Sequence, residues 1–166
     1  YMGVALFLAL PEKEENRLNK PFLVVCPTSV LPNWLSEIKK FTPHLKVTTL
    51  HGPARSEHFA KIAKSDIVLT TYPLVARDDE ALSKQKWKAV FLDEAQIIKN
   101  PTTLVAQALC RLKSEYRVCL TGTPIENHLG ELWSQFNFLM PGFLKDLKTF
   151  TKKLRTPIEK QNNTFL

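Results

Sequence analysis

Apolar runs of strand length alternate with helical patterns along most of this chain, and a fold must bury both. Phe22-Leu-Val-Val-Cys26 is continuously apolar and stops at Pro27-Thr28. From Val30 to Phe41 the residues Val30, Leu31, Trp34, Leu35, Ile38 and Phe41 fall at helical spacing, with Glu37, Lys39 and Lys40 outward. Lys46 to Leu50 reads as a short strand, Glu57 to Ala63 as helical, and Asp66-Ile-Val-Leu-Thr70 as a buried strand. Lys88-Ala-Val-Phe-Leu92 repeats the theme before a helix near Thr102 to Leu112, striped by Leu104, Val105, Ala108, Leu109 and Leu112. Tyr116-Arg-Val-Cys-Leu120 is one more strand, and Leu129 to Leu139 a strongly apolar helix. Continuous runs belong to strands covered on both faces, so the expected fold is α/β, a mostly parallel sheet with helices on each side.

The ends read differently. Val4 to Leu10 suggests a first helix, Pro11 to Lys20 (PEKEENRLNK) a polar surface loop, and about Leu144 to Leu154 a basic helix followed by a frayed tail. At 166 residues and 44% apolar, the chain can bury a core without disulfides or a structural metal. Val4 to Leu10 is also the longest apolar run, well short of the ~20 residues that span a bilayer, so neither a membrane span nor a secretory leader is expected. Cys26, Cys110 and Cys119 are widely spaced, fit a reducing compartment and read as small apolar residues. The net charge of +7 is uneven: six basic residues (Lys145, Lys148, Lys152, Lys153, Arg155 and Lys160) stand against Asp146 and Glu159 in the last stretch. Such a patch suits a polyanion or is simply solvated. His44, His51 and His58 recur every seven residues without a carboxylate or cysteine in register, and read as surface histidines. Trp34 and Trp133 lie on apolar stripes and read as core, not as base-stacking platforms.

In parallel α/β sheets ligands bind beyond the carboxyl ends of the strands. The strand ending at Leu92 runs into Asp93-Glu94-Ala95-Gln96, two adjacent carboxylates delivered to that edge. One can hold magnesium and the other orient or deprotonate an attacking water, the Walker B arrangement; acids capping a following helix give the same string. The next strand ends in Leu120-Thr121-Gly122-Thr123-Pro124-Ile125-Glu126-Asn127, where two hydroxyls flank a glycine able to change the loop's shape.

These strand ends, taken together, resemble the Swi/Snf-type ATPases of the helicase superfamily that includes the DEAD-box and DEAH-box proteins. Pro21 to Phe41 is similar to that family's motif Ia segment, Asp66 to Tyr72 to motif Ib, Leu92 to Pro101 (LDEAQIIKNP) to motif II, and Leu120 to Gly142 to motif III with the adjoining ELW helix. The resemblance implies a three-layer RecA-like P-loop NTPase sheet, with ATP and Mg2+ as cofactors. It implies Asp93 as the magnesium residue, acting through water, and Glu94 as the activator of the hydrolytic water. Gln96 stands where the family more often has histidine, and with Thr121, Gly122 and Thr123 would couple nucleotide state to the bound strand. Thr28, Ser29, Thr70, Thr71 and Tyr72 would contact the phosphate backbone of double-stranded DNA, positioning it without reading its sequence.

A phosphate cradle of the form G-x-x-x-x-G-K-[ST] is not in the sequence: none of Gly3, Gly52, Gly122, Gly130 and Gly142 precedes a lysine. The family places it shortly before motif Ia, so its expected place is between Gly3 and Val4, whether it is deleted there or unrecorded. The expectation is therefore a partial first lobe over residues 1–142, with 143–166 a basic helical extension toward a second RecA-like lobe. By itself this chain should show no significant ATP turnover, lacking both the phosphate lysine and the second lobe's arginines. The parent protein is expected to be a DNA-dependent translocase without membrane association. It would be cytoplasmic and nucleoid-associated in a bacterium, or nuclear in a eukaryote. The competing class is a non-catalytic DNA or protein binding module derived from such a lobe. A strand-separating helicase of the DEAH type would lack the KNP and ELW segments.

Overall fold

The computed structural model describes residues 20–122, 129–144, 146–152 and 156. Five strands form one sheet: β1 (Phe22–Cys26), β2 (Val47–Thr49), β3 (Ile67–Thr71), β4 (Lys86–Asp93) and β5 (Lys113–Leu120). Their order across the sheet is β2-β3-β1-β4-β5, and every pairing is parallel. Among the described residues the sheet is thus wholly parallel, where a mostly parallel one was expected.

The reason lies in β1 and β3, each buried at all five positions. A strand buried on both faces sits between two helical layers, and parallel connections need those helices as crossovers. Along β1 the side chains alternate: Leu23 and Val25 join one apolar cluster with Leu50, Val68 and Val90, while Phe22, Val24 and Cys26 join another with Ile67, Leu69 and Phe91. The second face is covered by α1 (Leu31–Phe41) through Leu31, Trp34 and Ile38. On the first face lie α2 (Tyr72–Arg77), α3 (Asp79–Lys84), α4 (Leu104–Arg111) and α5 (Leu129–Leu139). They contribute Tyr72, Val75, Leu82, Leu109 and Phe138 to its cluster. The three-layer expectation is met.

Three local expectations change. The pair α2 and α3 occupies a stretch for which periodicity gave no helix; Pro73 near the head of α2 starts it, since a proline in the first turn forfeits no hydrogen bond. The helical stretch near Glu57 to Ala63 is a 3₁₀ segment, Pro53–Lys64, tied down where Arg55 donates to both carboxylate oxygens of Asp78 at 2.8 and 2.9 Å. The basic helix is α6, Leu147–Phe150, capped by Asp146, whose side chain accepts from the Thr149 amide at 2.9 Å. The helix expected at Val4 to Leu10, the loop from Pro11 to Asn19 and most of the basic tail lie outside the described residues.

Candidate nucleotide and nucleic-acid edge

Register brings the loaded strand ends into one row. Cys26 pairs with Thr71, Val25 with both Thr70 and Leu92, and Asp93 with Leu120, so Cys26, Thr71, Asp93 and Thr121 all stand at the carboxyl edge. At the end of β4 the backbone turns sharply: Glu94 adopts φ 52° and ψ 53°, the left-handed region that costs a side-chain-bearing residue energy. Such strain persists where surrounding contacts over-determine it, and it gathers at functional sites.

Those contacts are specific. The Asp93 carboxylate accepts the Trp34 indole N–H on Oδ2 at 2.7 Å and the Glu94 amide on Oδ1 at 3.0 Å. The Asp93 backbone carbonyl accepts the Tyr72 hydroxyl at 2.6 Å. Trp34 and Tyr72 belong to the clusters on opposite faces of the sheet, so Asp93 is gripped from both. Glu94 is exposed, and its Oε2 accepts from Gln96 Nε2 at 2.6 Å. Gln96 Oε1 in turn accepts from Thr121 Oγ1 at 2.8 Å. The result is a continuous polar path from the end of β4 to the end of β5, with the half-buried Gln96 as its middle link.

The groups around the path are uncharged. Burial, with the Asp93 charge as a lesser cause, pushes the Cys26 thiol up to about 12. Burial likewise raises the Tyr72 phenol, helped by Cys119, Asp93, Cys26 and Glu94. Both are neutral at physiological pH. Asp93 offers hard oxygens, each holding one N–H bond and keeping a lone pair, which suits a magnesium ion reached through its water shell. No cluster of three or more metal-ligating side chains occurs among the described residues.

The segment after the pair is fastened to α5. Ser134 donates to the Ile98 carbonyl, and Lys99 stands 3.9 Å from Glu131, whose side chain is nearly buried. Beyond it, Asn100 Oδ1 accepts from the amide of Thr102 at 3.0 Å and its hydroxyl at 2.7 Å, and Thr103 caps α4 by accepting from the Ala106 amide at 3.2 Å. The Lys99-Asn100-Pro101 string is thus a turn that ends one element and starts the next.

The proposed phosphate contacts divide. Thr28 and Ser29 are exposed in the 3₁₀ turn Thr28–Val30 that leads into α1. Thr70, Thr71 and Tyr72 are 0%, 1% and 3% exposed, so their side chains are not presented to a ligand. The Tyr72 hydroxyl serves Asp93 instead, and Thr70 Oγ1 faces the Leu50 carbonyl at 3.4 Å. The resemblance to motif Ib implies contact there, but the strand is central and α2 follows without a gap. Gly122 is exposed with open space where a Cβ would stand, and Thr123 lies outside the described residues. Trp34 and Trp133 are core residues, as their stripes indicated. Nothing in an apolar stripe discloses that the Trp34 N–H ends on Asp93.

His44 and His51 are exposed and His58 half-buried, with no metal cluster around them among the described residues. Cys26, Cys110 and Cys119 are free thiols in apolar surroundings. No helix in the described residues is long and apolar enough to cross a membrane.

Residues 2–166 match the sequence profile of the SNF2-related domain. Over 163 residues the chain is 42% identical to the putative ATP-dependent helicase/translocase YwqA of Bacillus subtilis, covering 96% of this chain and 18% of that protein. It is 41% identical over 140 residues to the TATA-binding protein-associated factor mot1 of Schizosaccharomyces pombe, 83% of this chain and 7% of that one. Among solved structures, the Sulfolobus solfataricus SWI2/SNF2 ATPase core in complex with dsDNA superimposes with TM-score 0.79 at 48% identity, over 89% of this chain and 30% of its own. The chain therefore spans a small part of the relatives it matches.

Proposed function

The chain belongs to the SNF2-related family, and from that premise we propose that it is part of the first RecA-like lobe of a DNA-dependent, ATP-hydrolysing translocase. The observation that carries this reading is the polar path from Glu94 through Gln96 to Thr121 at the carboxyl edge, beside an Asp93 fixed by donors from both faces. A scaffold has no use for a magnesium ligand next to an exposed general base.

In this reading Asp93 would hold the cation, and Glu94 would take the proton from the attacking water. Bound magnesium–ATP supplies the scissile phosphoanhydride and the cation that neutralises its charge. Gln96 couples the Glu94 carboxylate to Thr121, so a change at the β5 loop, including Gly122 and Thr123, is felt at the base. Thr28 and Ser29 contact the phosphate backbone of duplex DNA. Residues 1–142 form the partial lobe, and 143–166 lead as a basic extension toward a second lobe. The compartment follows the DNA, nucleoid in a bacterium or nucleus in a eukaryote.

The test is Glu94→Gln in the full-length protein. Removing the base should lower ATP turnover by about 10²- to 10⁴-fold while leaving ATP and DNA binding in place. The 166-residue chain alone, without the phosphate lysine, should show no significant turnover; a clear rate from it, abolished by Glu94→Gln, would overturn that part. One observation favours a second reading, a non-catalytic binding module: the sequence holds no phosphate cradle. DNA binding that ignores nucleotide in the full-length protein, together with an unaffected Glu94→Gln variant, would favour the module.

A further inference from the structure

Three tryptophan N–H groups are available to compare. Trp87 donates to the Leu82 carbonyl at 3.0 Å, an ordinary way to satisfy a buried indole. Trp133 Nε1 is buried with no partner among the described residues. Trp34 alone of the three donates to a carboxylate, and that carboxylate belongs to Asp93. At 2.7 Å the contact is a short, charge-assisted bond from a side chain only 5% exposed.

Trp34 sits in the first turn and a half of α1, whose head is continuous with the exposed turn Thr28–Val30. Leu31, Trp34 and Ile38 pack one face of this helix into the cluster that also holds Ala89 and Phe91 of β4. We propose that Trp34 is a positioning residue whose indole N–H sets the orientation of the Asp93 carboxylate, making α1 a lever between the Thr28–Ser29 turn and the magnesium-binding edge. The proposal rests on the functional reading above and adds a route by which a phosphate backbone at that turn regulates the catalytic carboxylate. A shift of α1 of under 1 Å takes the contact from 2.7 Å past hydrogen-bond range. The Glu94 amide cannot replace it, since it bonds the other oxygen.

The experiment follows the indole N–H signals of the ¹⁵N-labelled chain, assigned by Trp34→Phe, Trp87→Phe and Trp133→Phe. In Asp93→Asn the Trp34 signal should move upfield and the Trp87 signal stay; an unmoved Trp34 signal overturns the positioning contact. A short duplex is then added at low salt, its binding followed separately by anisotropy of a labelled strand. Binding that moves the Trp34 signal with the same midpoint, and more than that of Trp87, supports the lever. Binding without that movement, or no binding by this chain at all, overturns the lever and leaves the functional reading to the Glu94→Gln test in the full-length protein. In the full-length protein Trp34→Phe keeps an aromatic ring in the core and removes the donor, with some loss of buried volume. It should lower kcat about tenfold or more with KM for ATP nearly unchanged. An unchanged kcat overturns the positioning role even where Asp93→Asn disturbs the Trp87 signal.

Discussion

Gln96 is the residue that joins the two strand ends by hydrogen bonds. Its amide group is both donor and acceptor, so one side chain can serve Glu94 and Thr121 together, as a neutral imidazole could. Gln96→Ala breaks both bonds, and in the full-length protein the DNA-stimulated ATPase rate should fall roughly 2- to 30-fold, with basal ATP binding unchanged in a filter or fluorescence assay. Another residue acts at the opposite edge of the sheet. Hydrogen bonds from Lys20 and Lys88 hold the Glu115 carboxyl down at about 2, below its ordinary 4.5. A depressed carboxyl stabilises the folded state above its unfolded value, and the contribution is lost as pH falls from near 4.5 toward 2. Glu115→Gln should therefore flatten the dependence of the urea midpoint on pH in that window and leave the neutral-pH slope alone.

Elements here are joined by a few polar fasteners between apolar faces. The 3₁₀ segment Pro53–Lys64 buries only Ile62 fully, so Arg55 does much of its anchoring, reaching Asp78 at the junction of α2 and α3. The Asp78 side chain is 6% exposed, and Arg55→Ala leaves that carboxylate without its guanidinium. The expected loss is about 3 kcal/mol in urea unfolding, and Arg55→Lys should recover little of it because the ammonium cannot make the two-pronged contact. Thr103 at the head of α4 is a milder case: Thr103→Ala removes the cap to Ala106 and should cost about 1 kcal/mol by the same measurement.

At the scale of the whole molecule, sheet order decides which residues can work together. β1 lies between β3 and β4, so motifs far apart in sequence end on neighbouring strands. In the proposed reading a DNA partner is held at its phosphates through Thr28, Ser29 and the basic extension. Affinity should fall steeply with added salt and be the same for duplexes of unrelated sequence, read by titration of the full-length protein.

How much of this was legible beforehand depends on whether the signal was local. The strands from Phe22, Asp66 and Lys88 and the helices from Leu31 and Leu129 are visible because burial on two faces or on one stripe writes itself into residue order. So is the acidic pair, since an apolar strand ending in Asp93-Glu94 is a chemical oddity wherever it lies. The short helices α2 and α3 were not legible, being too brief for a period. Nor were the roles of Thr70, Thr71 and Tyr72, because strand-end position says nothing of whether a side chain faces solvent or a neighbouring element. The sequence by itself determined the layered parallel sheet and the acidic pair at its edge. Only the tertiary structure decided that Trp34 and Tyr72 grip Asp93 and that Gln96 bridges Glu94 to Thr121, because hydrogen bonds between distant residues depend on register and packing, which no local pattern encodes.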